Sequence, residues 1–234
     1  MFNHLHYTQS LFDPSVNDMK ITKESLESQA IRYLRTHILE GHIKLGEKLV
    51  ESALAKQLEL SRSTVRMALN SLVNEGLVIQ KPYSGWQVVE INEQDLWELY
   101  HLRVALEGEA AAMAAKWASK TDKTRLADFF QEYQLLCLQH SDDTRRISEM
   151  DWQLHQLIIE ICGSVRMQSQ YKQILYPLQA YIALTHQDYD LSDSASSHQA
   201  LVQAICSGDA ETAFEQARAN ITPMTRGGEL SESN

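Results

Sequence analysis

Apolar residues recur at helical spacing along most of the chain. Between Ser25 and Glu40, Leu26, Ala30, Leu34 and Ile38 fall four apart, and Gly41 stands where a helix would be capped. Ser52 to Leu58 predicts a short helix with Leu54, Ala55 and Leu58 facing inward. Ser61 opens a strongly periodic helix in which Val65, Ala68, Leu69, Leu72 and Val73 follow the i, i+3, i+4, i+7, i+8 pattern, and Gly76 closes it. Two short runs of strand character follow, at 77–80 and 86–89. Lys81, Pro82, Tyr83, Ser84 and Gly85 lie between them and predict a hairpin turn. From Asn92 onward every pattern is helical. Helices are predicted near 94–118, 121–139, 143–162, 165–186, 191–207 and 209–222, with Asp209 capping the last. Pro177 is expected to kink the fourth of these or to mark a break in it.

Helix, short helix, tight turn, helix and hairpin is the order of a winged helix-turn-helix. The expected fold class is therefore mainly α. A winged helix-turn-helix of three helices and a small β-hairpin would occupy 21–90, and an all-α bundle of six helices would occupy 91–225. A flexible arm at 1–20 and a disordered tail at 226–234 would flank them.

The formal net charge is −10, which at first argues against a nucleic-acid partner. Division of the chain removes the objection. Residues 1–90 carry ten Lys and Arg against ten Asp and Glu, whereas residues 91–234 carry 11 against 21. The excess acid belongs to the second part, and DNA affinity depends on basic groups close to phosphate rather than on whole-chain charge. No apolar run approaches the roughly 18 residues of a membrane helix, and the first twenty residues hold no signal-peptide pattern, so a cytoplasmic protein without a membrane partner is expected. Cys137, Cys162 and Cys206 form no CxxC pair and fall in apolar helical patterns, as buried free thiols do.

The third helix carries the candidate chemistry of the first part. Its buried stripe leaves Arg62, Ser63, Thr64, Arg66 and Asn70 on the opposite face. Arg62 and Arg66, four apart, project from one side near the N-terminal turn. An arginine there can donate two hydrogen bonds to guanine O6 and N7 in the major groove. Ser61, Ser63 and Thr64 offer short hydroxyls to phosphate oxygens. Two solvated arginines on an ordinary surface would give the same face; the hairpin and the two preceding helices favour DNA. Two recognition helices on matching half-sites would imply a homodimer on a pseudo-palindrome.

This part resembles the GntR family of bacterial repressors from about Leu26 to Val89. The likeness is carried by Ile38-Leu39-Glu40-Gly41-His42-Ile43, Gly46-Glu47-Lys48-Leu49, Leu54-Ala55, Leu60-Ser61-Arg62-Ser63-Thr64-Val65-Arg66-Met67-Ala68-Leu69 and Glu75-Gly76-Leu77-Val78. The resemblance implies that Ser61, Arg62, Ser63, Thr64 and Arg66 touch DNA, and that the wing tip, here Lys81, Tyr83, Ser84 and Gly85, reaches the minor groove. Three positions depart from the pattern. Leu45 stands where proline is usual, Ser52 where helix 2 often has a basic contact, and Tyr83 and Ser84 precede the wing glycine where arginine is usual.

In the second part, Asp151 and His155 are four apart on one predicted helix and so share a face, and His198 opens a later helix. Such a pair is common on helix surfaces and is weak evidence by itself. His42, His101, His140 and His186 have no comparable partners. From about Asp95 to Ile221 the chain resembles the FCD effector domain of the FadR subfamily. The likeness rests on Leu102-Arg103-Val104-Ala105-Leu106-Glu107, Asp151-Trp152-Gln153-Leu154-His155, Ser197-His198-Gln199-Ala200-Leu201, Ala204-Ile205-Cys206-Ser207-Gly208-Asp209 and Ala213.

The resemblance implies a divalent metal, zinc or nickel, held by Asp151, His155 and His198. The fourth ligand position falls at Asn220, whose amide oxygen is a poorer donor than imidazole. It also implies a pocket lined by Arg103, whose guanidinium suits the carboxylate of a small organic-acid effector; a salt bridge from Arg103 to Glu107 is the competing expectation. The function implied is an effector-responsive repressor that binds an operator in double-stranded DNA. The alternative is a metal-dependent hydrolase built on Asp151, His155 and His198, which would need a general base and an open coordination position beside the metal. Glu149 and Glu160 are near in sequence but would point elsewhere on the helix.

Overall fold

The computed structural model describes residues 24–185 and 194–221. The arm expected at 1–20, the tail expected at 226–234 and His186 lie outside the described residues. Each predicted helix of the first part forms. Helix α1 (Leu26–Leu39) is capped by the Ser25 hydroxyl and buries Ala30, Leu34 and Ile38. Helix α2 is Glu51–Gln57, and α3 is Arg62–Asn74, which buries Val65, Ala68, Leu69 and Leu72.

The sheet has one strand more than the hairpin predicted. Strand β1 (Lys48–Leu49) precedes α2, and β2 (Val78–Lys81) and β3 (Gly85–Val88) form the wing. β3 lies between the other two, antiparallel to both, with Leu49 opposite Trp86 and Lys81 opposite Gly85. A two-residue strand shows no alternation in sequence, which is why only the tertiary pairing reveals it.

The second part contains α4 (Glu93–Trp117), α5 (Lys120–Gln139), α6 (Thr144–Ile161), α7 (Val165–Thr185), α8 (Ser194–Ser197), α9 (Gln199–Ser207) and α10 (Ala210–Ala219). Helices α4 and α5 begin with reciprocal capping boxes, Asn92 with Asp95 and Ser119 with Asp122. The helix predicted at 191–207 is two helices, α8 and α9, with His198 at the corner between them. This corrects the expected six-helix count: seven helices are present here among the described residues. Helix α7 runs through Pro177 without a break.

Two apolar cores result, and α7 contributes to both. Tyr171, Leu175 and Leu178 belong to the core of the helical bundle, whereas Ala180 is buried in that of the winged helix. Tyr176 packs against the latter, and its ring lies 5.1 Å from the guanidinium carbon of Arg35. Arg35 in turn makes two hydrogen bonds to Glu75, of 2.7 and 2.5 Å.

The two parts approach closely at Gly76. Its φ is +75°, a conformation in which a side chain is strained, and a Cβ there would meet the Gln173 carbonyl oxygen at 2.8 Å and Pro177 at 3.2 Å. Gly76→Ala should therefore lower stability by about 1–2 kcal/mol from the backbone conformation alone, with further loss as α7 is pushed away. Thermal unfolding followed by circular dichroism checks this, and an unchanged melting temperature would show that α7 does not bear on the winged helix.

Candidate DNA-reading face and effector site

Helix α3 presents its N-terminal turn to solvent. The Ser61 hydroxyl accepts a hydrogen bond from the Thr64 amide at 3.1 Å and lies 2.8 Å from both the Ser63 and Thr64 hydroxyls. It is thus the N-cap of the helix, a duty that the expectation of a phosphate contact did not include. Arg62 and Arg66 are exposed, with 67% and 56% of their side chains accessible. Neither stands alone, for both approach Glu51 at the start of α2. Arg66 donates to it from Nε and Nη2 at 2.9 and 2.8 Å, and Arg62 Nη2 lies 3.7 Å away. The indole N–H of buried Trp86, in β3, donates to the same carboxylate at 2.9 Å. Hydrogen bonds from Arg66 and then from Trp86 hold the Glu51 carboxyl down to about 2. Sequence reading missed Glu51, since nothing in its spacing announces a partner 15 residues on.

At the wing tip the Ser84 amide donates to the Lys81 carbonyl at 3.1 Å, closing a turn with Pro82 and Tyr83 at its centre. Tyr83 has φ +60° and is fully exposed. A non-glycine residue in that conformation is strained, and Tyr83 holds it in the exposed turn of the wing.

The helical bundle gathers Asp151, His155 and His198 so that one ligand atom from each lies within 4.8 Å of the others. His155 and His198 are each 2% exposed. Their Nε2 atoms are 3.1 Å apart; Asp151 Oδ1 is 3.4 Å from that of His198 and Oδ2 is 3.9 Å from that of His155. The other ring nitrogens fix the tautomers. His198 Nδ1 is 2.8 Å from the Ser194 carbonyl, which can only accept, so Nδ1 carries the proton. His155 Nδ1 is 2.6 Å from Glu107 Oε2. The angle is poor, and Oε2 has no in-line hydrogen bond. Even so, a lone pair would not sit at that distance from a carboxylate oxygen, so this Nδ1 also carries the proton. The Nε2 atoms of the two rings then face each other and Asp151. Burial, then the neighbouring His155, depresses the His198 pKa below its usual value, which keeps that ring neutral. The Tyr133 and Ser194 hydroxyls lie 3.2 and 3.4 Å from Asp151 Oδ1.

Glu107 is the centre of a second layer. It is 3% exposed and accepts hydrogen bonds at Oε1 from Arg103 Nε at 2.6 Å and from the Tyr171 hydroxyl at 2.5 Å. Burial would raise its pKa, but Arg103 and then His155 outweigh burial and hold the carboxyl well below the usual range. The salt bridge weighed against an effector role for Arg103 is therefore present, and the guanidinium also stacks over Trp152 at 4.7 Å.

Asn220 caps α10, and its amide nitrogen donates to the Ser197 carbonyl at 2.8 Å, which places it beside the residue next to His198. The general base that a hydrolase would need is not offered by these carboxylates. Glu107 is taken by Arg103 and Tyr171, Glu160 pairs with Arg125 on the bundle surface at 2.8 Å, and Glu149 is exposed. Cys137 and Cys162 are buried and Cys206 half-buried, and burial pushes the Cys162 and Cys206 thiols up, away from reactivity.

Residues 26–88 match the family described as bacterial regulatory proteins, gntR family, and residues 98–222 match the FCD domain. The "Probable D-xylose utilization operon transcriptional repressor" of Paenarthrobacter nicotinovorans is 26% identical over 194 residues, 83% of this chain and 84% of that protein. The HTH-type transcriptional repressor GlaR of Escherichia coli (strain K12) is 28% identical over 205 residues, 82% of this chain and 91% of that protein. The solved structure of E. coli McbR/YncC superposes with a TM-score of 0.69 at 21% identity, covering 85% of this chain and 94% of that one. With a gntR-type winged helix followed by an FCD domain over more than half its length, the chain belongs to the GntR family of bacterial transcriptional regulators, in the FadR subfamily that carries an FCD effector domain.

Proposed function

We propose that this regulator is a cytoplasmic, homodimeric repressor. In this reading the exposed edge of α3 reads its operator, and a divalent metal with a small organic acid in the FCD domain controls it. The observation that carries the metal is the close approach of the two buried Nε2 atoms with the Asp151 carboxylate beside them. Two imidazole nitrogens 3.1 Å apart can share a proton or a metal ion. Two imidazoles about 2.0–2.1 Å from one ion would be separated by roughly 3.0–3.4 Å, so the spacing suits a shared zinc or nickel. Asp151 would add the carboxylate, while Glu107 and the Ser194 carbonyl orient the two rings from behind. The Asn220 amide oxygen or a water would fill a weaker position. The metal supplies a Lewis-acidic anchor for a ligand oxygen. An effector carboxylate reaching it would also meet Arg103, whose Nη groups lie beyond the Nε that Glu107 occupies.

Helix α7 offers the mechanical link. Tyr171 bonds Glu107 behind His155, and Tyr176, Pro177 and Ala180, further along the same helix, pack against the winged helix. On the DNA side, Arg62 and Arg66 would read bases, Ser63 and Thr64 would sit near phosphate, and Lys81, Tyr83, Ser84 and Gly85 would carry the wing into the adjoining groove.

Three outcomes are expected. Sedimentation at micromolar concentration should show a dimer with and without DNA, and a monomer in both conditions would overturn the palindrome argument. Arg62→Ala should weaken specific binding roughly 5- to 150-fold, the worth of one bidentate base contact, with stability changed by less than about 0.5 kcal/mol because the side chain is exposed; anisotropy titrations and thermal melts report the two. Titration calorimetry with zinc and nickel should show one site per chain. His155→Ala should abolish it, and Asn220→His should tighten it and make it harder to strip with a chelator. No heat from the wild type and none gained by Asn220→His would end the metal reading and leave an effector site that rests on Arg103.

A further inference from the structure

The contact between Glu51 and Arg66 crosses from α2 to the reading helix, and its geometry is informative. Arg66 engages Glu51 through Nε and Nη2, the side edge of the guanidinium. A guanidinium is planar and has a second edge, formed by Nη1 and the outer hydrogen of Nη2, next to the one that the carboxylate occupies. That end edge carries the parallel donors a guanine requires at O6 and N7. Glu51 is fixed in its own right. Only 14% of its side chain is exposed, and the indole of Trp86, itself buried in the wing sheet, donates to Oε1 at 2.9 Å. An exposed arginine on a helix samples many rotamers, and ordering it on DNA costs entropy. Here the ordering is already done by a half-buried carboxylate on α2, itself held by the buried Trp86 of β3.

The same carboxylate has an electrostatic consequence. It places a negative charge 2.8 Å from Arg66 and 3.7 Å from Arg62, on the surface that must approach phosphates. A carboxylate there weakens sequence-independent attraction to the backbone. It suppresses every DNA, while the preset arginine favours the one base pair that fits; specificity is the difference between those affinities.

We propose that Glu51 is a specificity-determining positioning residue. Held by Trp86, it clamps Arg66 side-on, so that the free edge of the guanidinium is preset to read one base pair, and it discourages binding elsewhere. The proposal rests on the reading that Arg66 contacts a base.

The test selects binding sites from a random 20-base-pair duplex pool with full-length wild type, Arg66→Ala and Glu51→Gln, and then measures affinities for the selected site and its single-base variants. Arg66→Ala should lose preference at one base pair per half-site. Glu51→Gln should lose preference at that same base pair, roughly fivefold or more, the low end of a bidentate contact, and keep preference elsewhere. It should also bind an arbitrary duplex more tightly than wild type does. A merely structural role for Glu51 would instead lower affinity for all sequences together and leave the base profile intact, which would overturn the proposal. So would a Glu51→Gln profile that keeps the preference Arg66→Ala loses. If Arg66→Ala itself keeps every preference, the base contact and this inference fail together. Glu51→Asp retains the charge but retracts the carboxylate by one methylene; should Glu51→Gln melt too low to assay, the same loss at the same base pair is expected of Glu51→Asp, and its full retention would overturn the proposal.

Discussion

Glu107 keeps a full negative charge at a position 3% exposed, and such a charge persists in a protein interior only with partners on every side. Arg103 supplies the opposite charge one turn earlier on α4, Tyr171 donates from α7, and His155 approaches from α6. Three helices are therefore held to one carboxylate. Removing one member of a buried pair of this kind costs about 3–5 kcal/mol. The consequence reaches past stability, because the contact of Glu107 with His155 Nδ1 turns Nε2 toward His198 and Asp151. A structural ion pair thereby sets how the neighbouring His155 ring is presented.

A carboxylate on the winged helix plays a comparable part under different physics. Glu51 is also held by an arginine and by an aromatic donor, but at the surface, where water screens the charge and the pairing contributes little to stability. Its effect is on the direction of a side chain rather than on the survival of the fold. In both places an acidic residue orients a side chain beside it, Arg66 on the winged helix and His155 in the bundle.

Helix α7 joins these two regions. It leaves the bundle core, passes Gly76 at a distance that only a glycine admits, and ends its described packing in the core of the winged helix.

Much of this was legible from spacing alone. The stripe of Val65, Ala68, Leu69 and Leu72 dictated which face α3 buries and hence that Arg62 and Arg66 are outside. The four-residue interval between Asp151 and His155 dictated a shared face, and Lys81 to Gly85 dictated a turn. These are local periodicities, and helical and strand geometry converts them directly into direction. What the sequence left open depends on contacts between residues far apart in the chain. Leu49 became a strand residue only because Trp86 lay opposite to pair with it. His198 became a corner between two helices rather than a residue within one, which is what turns its ring toward His155. Glu51, Glu107 and Tyr171 gained their roles from partners 15, 48 and 64 residues away, at Arg66, His155 and Glu107. Periodicity states which way a side chain points, and only the folded chain states what it meets there.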